Sequence, residues 1–181
     1  IDKTVFRFKY DSIYFYFDSK NQTIIDYIAL PSNAENISIY DAARKAAYVV
    51  ENNLYIRSNN NTIQVTFNSV DGIVSGKEVH RREFGISEGS FWSPSGKKIA
   101  YYTKDETMVT NYPLADITSR VAELKPIRYP MAGMKSHHVK LIVYDTELHQ
   151  KAEIQTGEPL DQYLTNIAWH PDEEQIFIAL V

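Results

Sequence analysis

The segment Ser90-Phe91-Trp92-Ser93-Pro94-Ser95-Gly96-Lys97-Lys98-Ile99-Ala100-Tyr101-Tyr102 constrains this chain more than any other. Pro94 pre-sets φ for a turn and Gly96 tolerates a positive φ, so the backbone reverses over residues 93–97. Trp92 then ends one strand, and the β-formers of residues 98–103 build the next. Ile167-Ala168-Trp169-His170-Pro171-Asp172, followed by Gln175-Ile176-Phe177-Ile178-Ala179, repeats the plan, and residues 37–50 carry a fainter copy. One such hairpin fits any all-β domain. Three copies, each with an aromatic before the turn, are the sequence signature of blades in a β-propeller.

A chain of 181 residues with 44% hydrophobic and 13% aromatic residues can bury a core of its own. Nineteen basic against twenty-three acidic residues leave a net charge of -4, which offers no electrostatic footprint for nucleic acid. No apolar run approaches the roughly 20 residues of a membrane helix. Without cysteine there is neither a disulfide framework nor a thiolate metal site. The chain opens on Ile and enters the β pattern at once, so it is expected to be a piece of a longer protein.

Strand signals recur at 5–10, 13–17, 23–30, 37–40, 46–50, 53–57, 62–67, 90–92, 98–103, 139–145, 151–155, 164–169 and 175–181. Asn-, Asp- and Ser-rich turns separate the early ones, at 18–21, 31–33, 51–53 and 58–61. At four strands and about 40 to 45 residues per blade, the expected fold is an all-β partial β-propeller. It should hold about four blades of antiparallel four-stranded sheets in an incomplete ring, all of residues 1–181 forming a fragment of one domain. An open ring leaves unpaired strand edges, which neighbouring molecules must cover or rearranged terminal strands must satisfy.

Two segments break the rhythm. Residues 71–85 are too charged for a sheet interior, and 77–83 are expected to form a short helical insertion ended by Gly85. In residues 105–135, Leu114, Ile117, Val121 and Leu124 recur at helical spacing with Pro113 suited to a first turn, but Thr118 and Val121 are β-branched. That excursion reads as either a helix or an extended arm.

The residues for chemistry are missing. A hydrolase nucleophile needs a sharply turned Ser in Gly-x-Ser-x-Gly, which does not occur here. None of the five histidines has triad or metal spacing, so neither a catalytic residue, a metal nor a cofactor is expected. His137 and His138 are neighbours and point to opposite sides of a strand. His170 takes the turn position that Ser93 fills in the other copy, which favours a structural role. Asp105 and Glu106 read as solvated carboxylates after a strand rather than an acid/base pair. Trp92, Trp169, Tyr101 and Tyr102 read as blade core.

Several ordered motifs resemble one family. Glu83-Phe84-Gly85, Phe91-Trp92-Ser93-Pro94-Ser95-Gly96-Lys97-Lys98-Ile99-Ala100-Tyr101, Asp105-Glu106-Thr107-Met108-Val109 and Tyr129-Pro130-Met131-Ala132-Gly133 follow the order of dipeptidyl peptidase IV N-terminal domains, most strongly over residues 76–145. The resemblance implies an eight-bladed propeller over a C-terminal α/β-hydrolase domain in the parent, and a periplasmic or secreted address. It further implies control of substrate access and a helical insertion whose glutamates hold the protonated N-terminus of a peptide. Charge-assisted bonds from paired carboxylates suit an ammonium where water is excluded.

The matching positions here read Arg81-Arg82-Glu83, so Glu83 alone remains of the acidic run. Either Glu83 anchors the amine alone, or Arg81 and Arg82 favour carboxylate-bearing peptides through bidentate bonds. A solvated charged turn is the structural alternative. The arm over 105–133 resembles the segment through which relatives form homodimers. The fragment is expected to be inactive by itself, the parent's catalytic Ser, Asp and His lying in the hydrolase domain. Its rivals are a non-enzymatic propeller that binds protein partners through its loops, and a carbohydrate-binding sandwich with exposed tyrosines.

Overall fold

The computed structural model describes residues 4–59 and 61–181. The first blade is the antiparallel meander β1 (Val5–Tyr10), β2 (Ile13–Asp18) and β3 (Thr23–Ala29). The second is β4 (Glu35–Tyr40), β5 (Lys45–Val50), β6 (Asn53–Ser58) and β7 (Asn61–Gln64), paired in chain order. Between β5 and β6 the two-residue link Glu51-Asn52 has φ of 48° and 65°, the doubly left-handed turn that matches strand twist in a tight hairpin. Asn60, in the expected turn over 58–61, lies outside the described residues.

The third blade gathers β8 (Ile73–Ser75), β9 (Ser90–Trp92), β10 (Lys98–Asp105), β13 (His138–Asp145) and β14 (Lys151–Glu153), with the hairpin β11 (Asn111–Asp116) and β12 (Glu123–Arg128) inserted between β10 and β13. Both β8 and β9 pair with β10, on opposite stretches of it: Thr103 faces Ser75, and Ile99 faces Trp92. The fourth begins with β15 (Leu164–Trp169) and β16 (Ile176–Leu180). These are consecutive propeller blades, the inner two complete and the outer two with fewer strands.

Strand sequence explains how the blades stack. In β5, Ala46 and Tyr48 enter the core shared with Tyr16 and Ile28 of the first blade, while Ala47 and Val49 enter the core shared with Ile99 and Tyr101 of the third. In β10, Ala100 and Tyr102 face the fourth blade with Leu141 and Leu164. Successive side chains of a strand point to opposite faces, so a strand buried on both must read as a continuous apolar run. Lys45-Ala46-Ala47-Tyr48-Val49-Val50 and Lys98-Ile99-Ala100-Tyr101-Tyr102 do so.

The repeat motif supplies polar ties between blades. Trp92 donates its indole N–H to the Ser38 carbonyl of β4 at 3.2 Å, and Trp169 donates to the Phe91 carbonyl of β9 at 3.0 Å. Equivalent tryptophans thus make equivalent bonds, each to a strand carbonyl of the preceding blade. Tyr40, the aromatic of the faint copy, lies 5.9 Å from the Trp92 ring and donates its hydroxyl to the Pro94 carbonyl at 2.6 Å. Gly96 is required there twice: its φ is +68°, and a Cβ would overlap the Tyr40 ring. On the fourth blade, Glu173 accepts from Ser93 Oγ at 3.1 Å and Ser95 Oγ at 2.7 Å, closing the next turn-to-turn contact.

Folding decides one open reading and revises one expectation. Residues 105–135 form no helix; they contain the extended hairpin β11–β12. Ile117, Thr118 and Val121 are β-branched, Pro126 breaks a helix, and Leu114, Ile117, Val121 and Leu124 all remain exposed, so no packing face repays helix formation. Arg128 braces the hairpin root by donating to the Glu106 and Val109 carbonyls at 2.9 and 3.2 Å and to the Asp71 carboxylate at 2.6 Å. Residues 71–85, too charged in sequence for sheet, nevertheless place the short β8 against β10. Their helical insertion is an irregular 3-10 segment, His80–Gly85, in which Arg81, Arg82 and Phe84 are left-handed.

Replacing Trp92 by Phe retains an aromatic ring but removes the donor to Ser38, and is expected to destabilise the chain by about 1 kcal/mol in urea unfolding. Gly96→Ala should cost about 1–2 kcal/mol from backbone strain alone, before any shift of Tyr40.

Candidate functional site

Val79 and Ile86 are both buried in the core between the third and fourth blades. They pin the two ends of His80–Gly85, so the segment projects as a short loop held at its base. Within it, Arg82 N–H donates to Val79 O at 3.2 Å and Ile86 N–H to Glu83 O at 3.1 Å. His80, Arg81, Arg82 and Phe84 have φ between 51° and 64°, a region that β-carbon-bearing residues enter at a cost and that clusters at functional sites.

This backbone sends the side chains in different directions. His80 turns inward, its Nε2 accepting from the Leu164 N–H at 3.5 Å and its Nδ1 lying 3.2 Å from Nε2 of His137. Its ring packs 4.5 Å from that of Tyr163. Arg81 lays its guanidinium over the Tyr129 ring, 3.7 Å from the centroid. Arg82 turns away and pairs with Glu78 at 2.9 Å. A register shift in β4 and a left-handed Asn36 bring that amide onto the same Glu78 carboxylate. Burial alone would raise the Glu78 carboxyl, but the bonds from Asn36 and Arg82 outweigh it and hold it low.

Glu83 points to Tyr163, whose phenol is pushed up by its hydrogen bond to this carboxylate. Phe84 meets the same Tyr163 edge-on at 4.9 Å. Arg81 and Glu83 therefore line one open cavity of about 490 Å³, together with His80, His137, Lys135 and Tyr163. Arg82 lines an adjoining hollow of about 290 Å³ with Glu78, Lys104 and Glu106. Of the three residues singled out in the sequence, two come together and the third is neutralised beside them. The cavity offers a carboxylate and a guanidinium on one wall, an arrangement suited to binding a charged ligand.

Sequence reasoning did not find His80, His137, Tyr163, Tyr129 or Lys135 as partners in this cavity. They lie up to 83 positions apart in the chain, from His80 to Tyr163, and only the folding of the third blade with the fourth stacked on it brings them together. His138 does point away from His137, to Asp161 at 3.3 Å. The remaining candidates are structural: Asp105 accepts from the Thr107 N–H at 2.9 Å, Glu106 pairs with Lys104 at 2.8 Å, and His170 meets Asp172 at 2.7 Å. Among the described residues no group of three or more His, Asp or Glu side chains is placed to hold a metal ion.

Burial, with the neighbouring His137 and Lys104 adding to it, lowers His80 from 6.5 to about 4. The unfolded chain therefore takes up this proton first as pH falls, and the stability that His80 contributes, complete above about pH 6.5, is lost progressively toward pH 4. His80→Asn, which tolerates left-handed backbone and does not titrate, should show a shallower fall in melting temperature over that window.

Comparison with known proteins agrees with this architecture. The family profile described as "Dipeptidyl peptidase IV (DPP IV) N-terminal region" matches residues 2–181. A protein assigned as dipeptidyl-aminopeptidase B from Phaeosphaeria nodorum is 25% identical across 95% of this chain and 21% of its own length. Dipeptidyl peptidase 4 of Sus scrofa is 25% identical across 92% of this chain and 24% of its own. The crystal structure of a protein assigned as a dipeptidyl aminopeptidase IV from Bacteroides ovatus superposes with a TM-score of 0.88 and 41% identity, over 99% of this chain and 25% of that one. Dipeptidyl peptidase 4 of Porphyromonas gingivalis shares the fold, with a TM-score of 0.74 at 19% identity over 100% of this chain and 26% of that one. The chain spans about a fifth to a quarter of the length of these relatives. With a profile match over nearly every residue and blades that superpose, the chain belongs to the dipeptidyl peptidase IV N-terminal region family.

Proposed function

We propose that the chain is the propeller portion of a dipeptidyl-peptidase-IV-like serine exopeptidase, in which it restricts access to the hydrolase domain and Glu83 receives the protonated N-terminus of a peptide. The observation that carries this reading is the position of Glu83 on an open cavity, its carboxylate oriented by Tyr163. Arg82, which would repel an ammonium, is turned to Glu78 and pairs with it. The relatives' names favour a peptidase over an interaction module without chemistry. The exposed apolar residues of β11–β12 supply the surface through which two copies associate, as the family resemblance implies.

Two measurements on the full-length protein test this reading. Glu83→Gln should lower cleavage of peptides with a free amino terminus about ten- to a hundredfold, the worth of a charge-assisted bond. N-acetylated peptides should be cut no more slowly by the variant than by the parent, and an equal loss on both would rule out the amine contact. Placing glutamates at Ile117 and Leu124 should convert a dimer to a monomer in light scattering, whereas a parent that is already monomeric contradicts the assembly.

A further inference from the structure

The cations around the cavity differ in one respect. Arg82, Lys104 and Arg128 each pair with a carboxylate, at 2.9, 2.8 and 2.6 Å. Arg81 and Lys135 line the cavity with no ion-pair partner among the described residues. Arg81 is nevertheless fixed. One face of its guanidinium rests on Tyr129, and its backbone is held at a φ of 52° between buried Val79 and Ile86. Stacking on a ring leaves the N–H edges free, and a guanidinium immobilised with unspent edges is pre-organised for a carboxylate. Lys104, which lines the adjoining hollow with Arg81, His80 and His137, is already spent on Glu106, Glu78 in that hollow is taken by Arg82, and both imidazoles are kept neutral by burial, so neither the charge nor the donors of Arg81 are consumed from within.

We infer that Arg81, with Lys135 on the same cavity, forms an anion subsite beside Glu83 that takes the side-chain carboxylate of an acidic residue at the first position of the peptide. The inference rests on Glu83 holding the amine. Arg81 and Glu83 are two residues apart, so their Cα atoms are separated by no more than about 7.6 Å, which suits the amine and side-chain carboxylate of one amino acid. A ligand carrying only negative charge, such as inorganic phosphate, meets the Glu83 carboxylate and is disfavoured; a zwitterionic N-terminal aspartate or glutamate satisfies both signs. The subsite therefore selects by the charge of the first residue.

The test is calorimetric binding to the full-length protein of Asp-Pro, Asn-Pro and N-acetyl-Asp-Pro, dipeptides that offer nothing further for a dipeptidyl peptidase to release. Asp-Pro is expected to bind about tenfold more tightly than Asn-Pro, and Arg81→Gln to bring the ratio to about one. Arg81→Lys should restore part of the preference, and Lys135→Gln should reduce it. Glu83→Gln should weaken both Asp-Pro and Asn-Pro and leave Asp-Pro the tighter of the two. A ratio near one in the parent protein, or one that Arg81→Gln does not change, overturns the subsite. If acetylation weakens binding and Glu83→Gln abolishes that difference, but acidic and amide dipeptides bind alike, the amine contact stands and only the subsite falls. Absence of binding by all three dipeptides overturns both.

Discussion

The bond from each repeat tryptophan to a backbone carbonyl of the preceding blade is the contact on which the arrangement turns. Hydrophobic burial brings blades face to face but does not fix how far one slides past another, because apolar contact has little direction. The Trp92 and Trp169 N–H groups do fix it, since an indole has one donor and a strand carbonyl occupies one place. Tyr102 adds a buried bond in the opposite direction, from β10 of the third blade to the Leu164 carbonyl of the fourth at 2.6 Å. With alanines at 46, 47 and 100 allowing close approach of the sheets, these directed bonds set the register between neighbours.

That register determines the cavity. His80–Gly85 belongs to the third blade, whereas Tyr163 and Leu164 lead into the fourth. Leu164 donates its N–H to His80 Nε2 while its carbonyl accepts from Tyr102, so one residue at the start of β15 is tied to the third blade from both sides of its backbone. His80 in turn packs against Tyr163, and Tyr163 orients Glu83. The carboxylate and guanidinium are thus presented by a loop of unusual backbone whose flanks are among the most buried parts of the chain. Cost in local conformation is offset by the packing of Val79 and Ile86.

Much of the blade plan was legible in the sequence, for a local reason. A strand buried on both faces leaves a continuous apolar run, and a Pro-Ser-Gly turn is encoded within four residues. The family resemblance likewise rested on ordered local motifs. The inserted hairpin was less legible because its apolar residues fit helical spacing, and the choice was made by β-branching and by the absence of a covering face, which spacing does not record. Glu83 stood out as the one acid kept from the run that the resemblance implies, and Arg81 and Arg82 as departures from it. Tyr163, His137 and Lys135 carried no such mark, since their roles arise only when one blade stacks on the next. The different fates of Arg81 and Arg82, adjacent and alike in composition, were settled by Tyr129 and Glu78, which no pattern in the run itself could reveal.

Arg128 cross-links the root of the inserted hairpin, one guanidinium holding the Glu106 and Val109 carbonyls and the Asp71 carboxylate from two separate stretches of chain. The residue after Arg128 is Tyr129, the platform beneath Arg81, so the root of the inserted hairpin and the charged cavity are built on one short stretch of backbone.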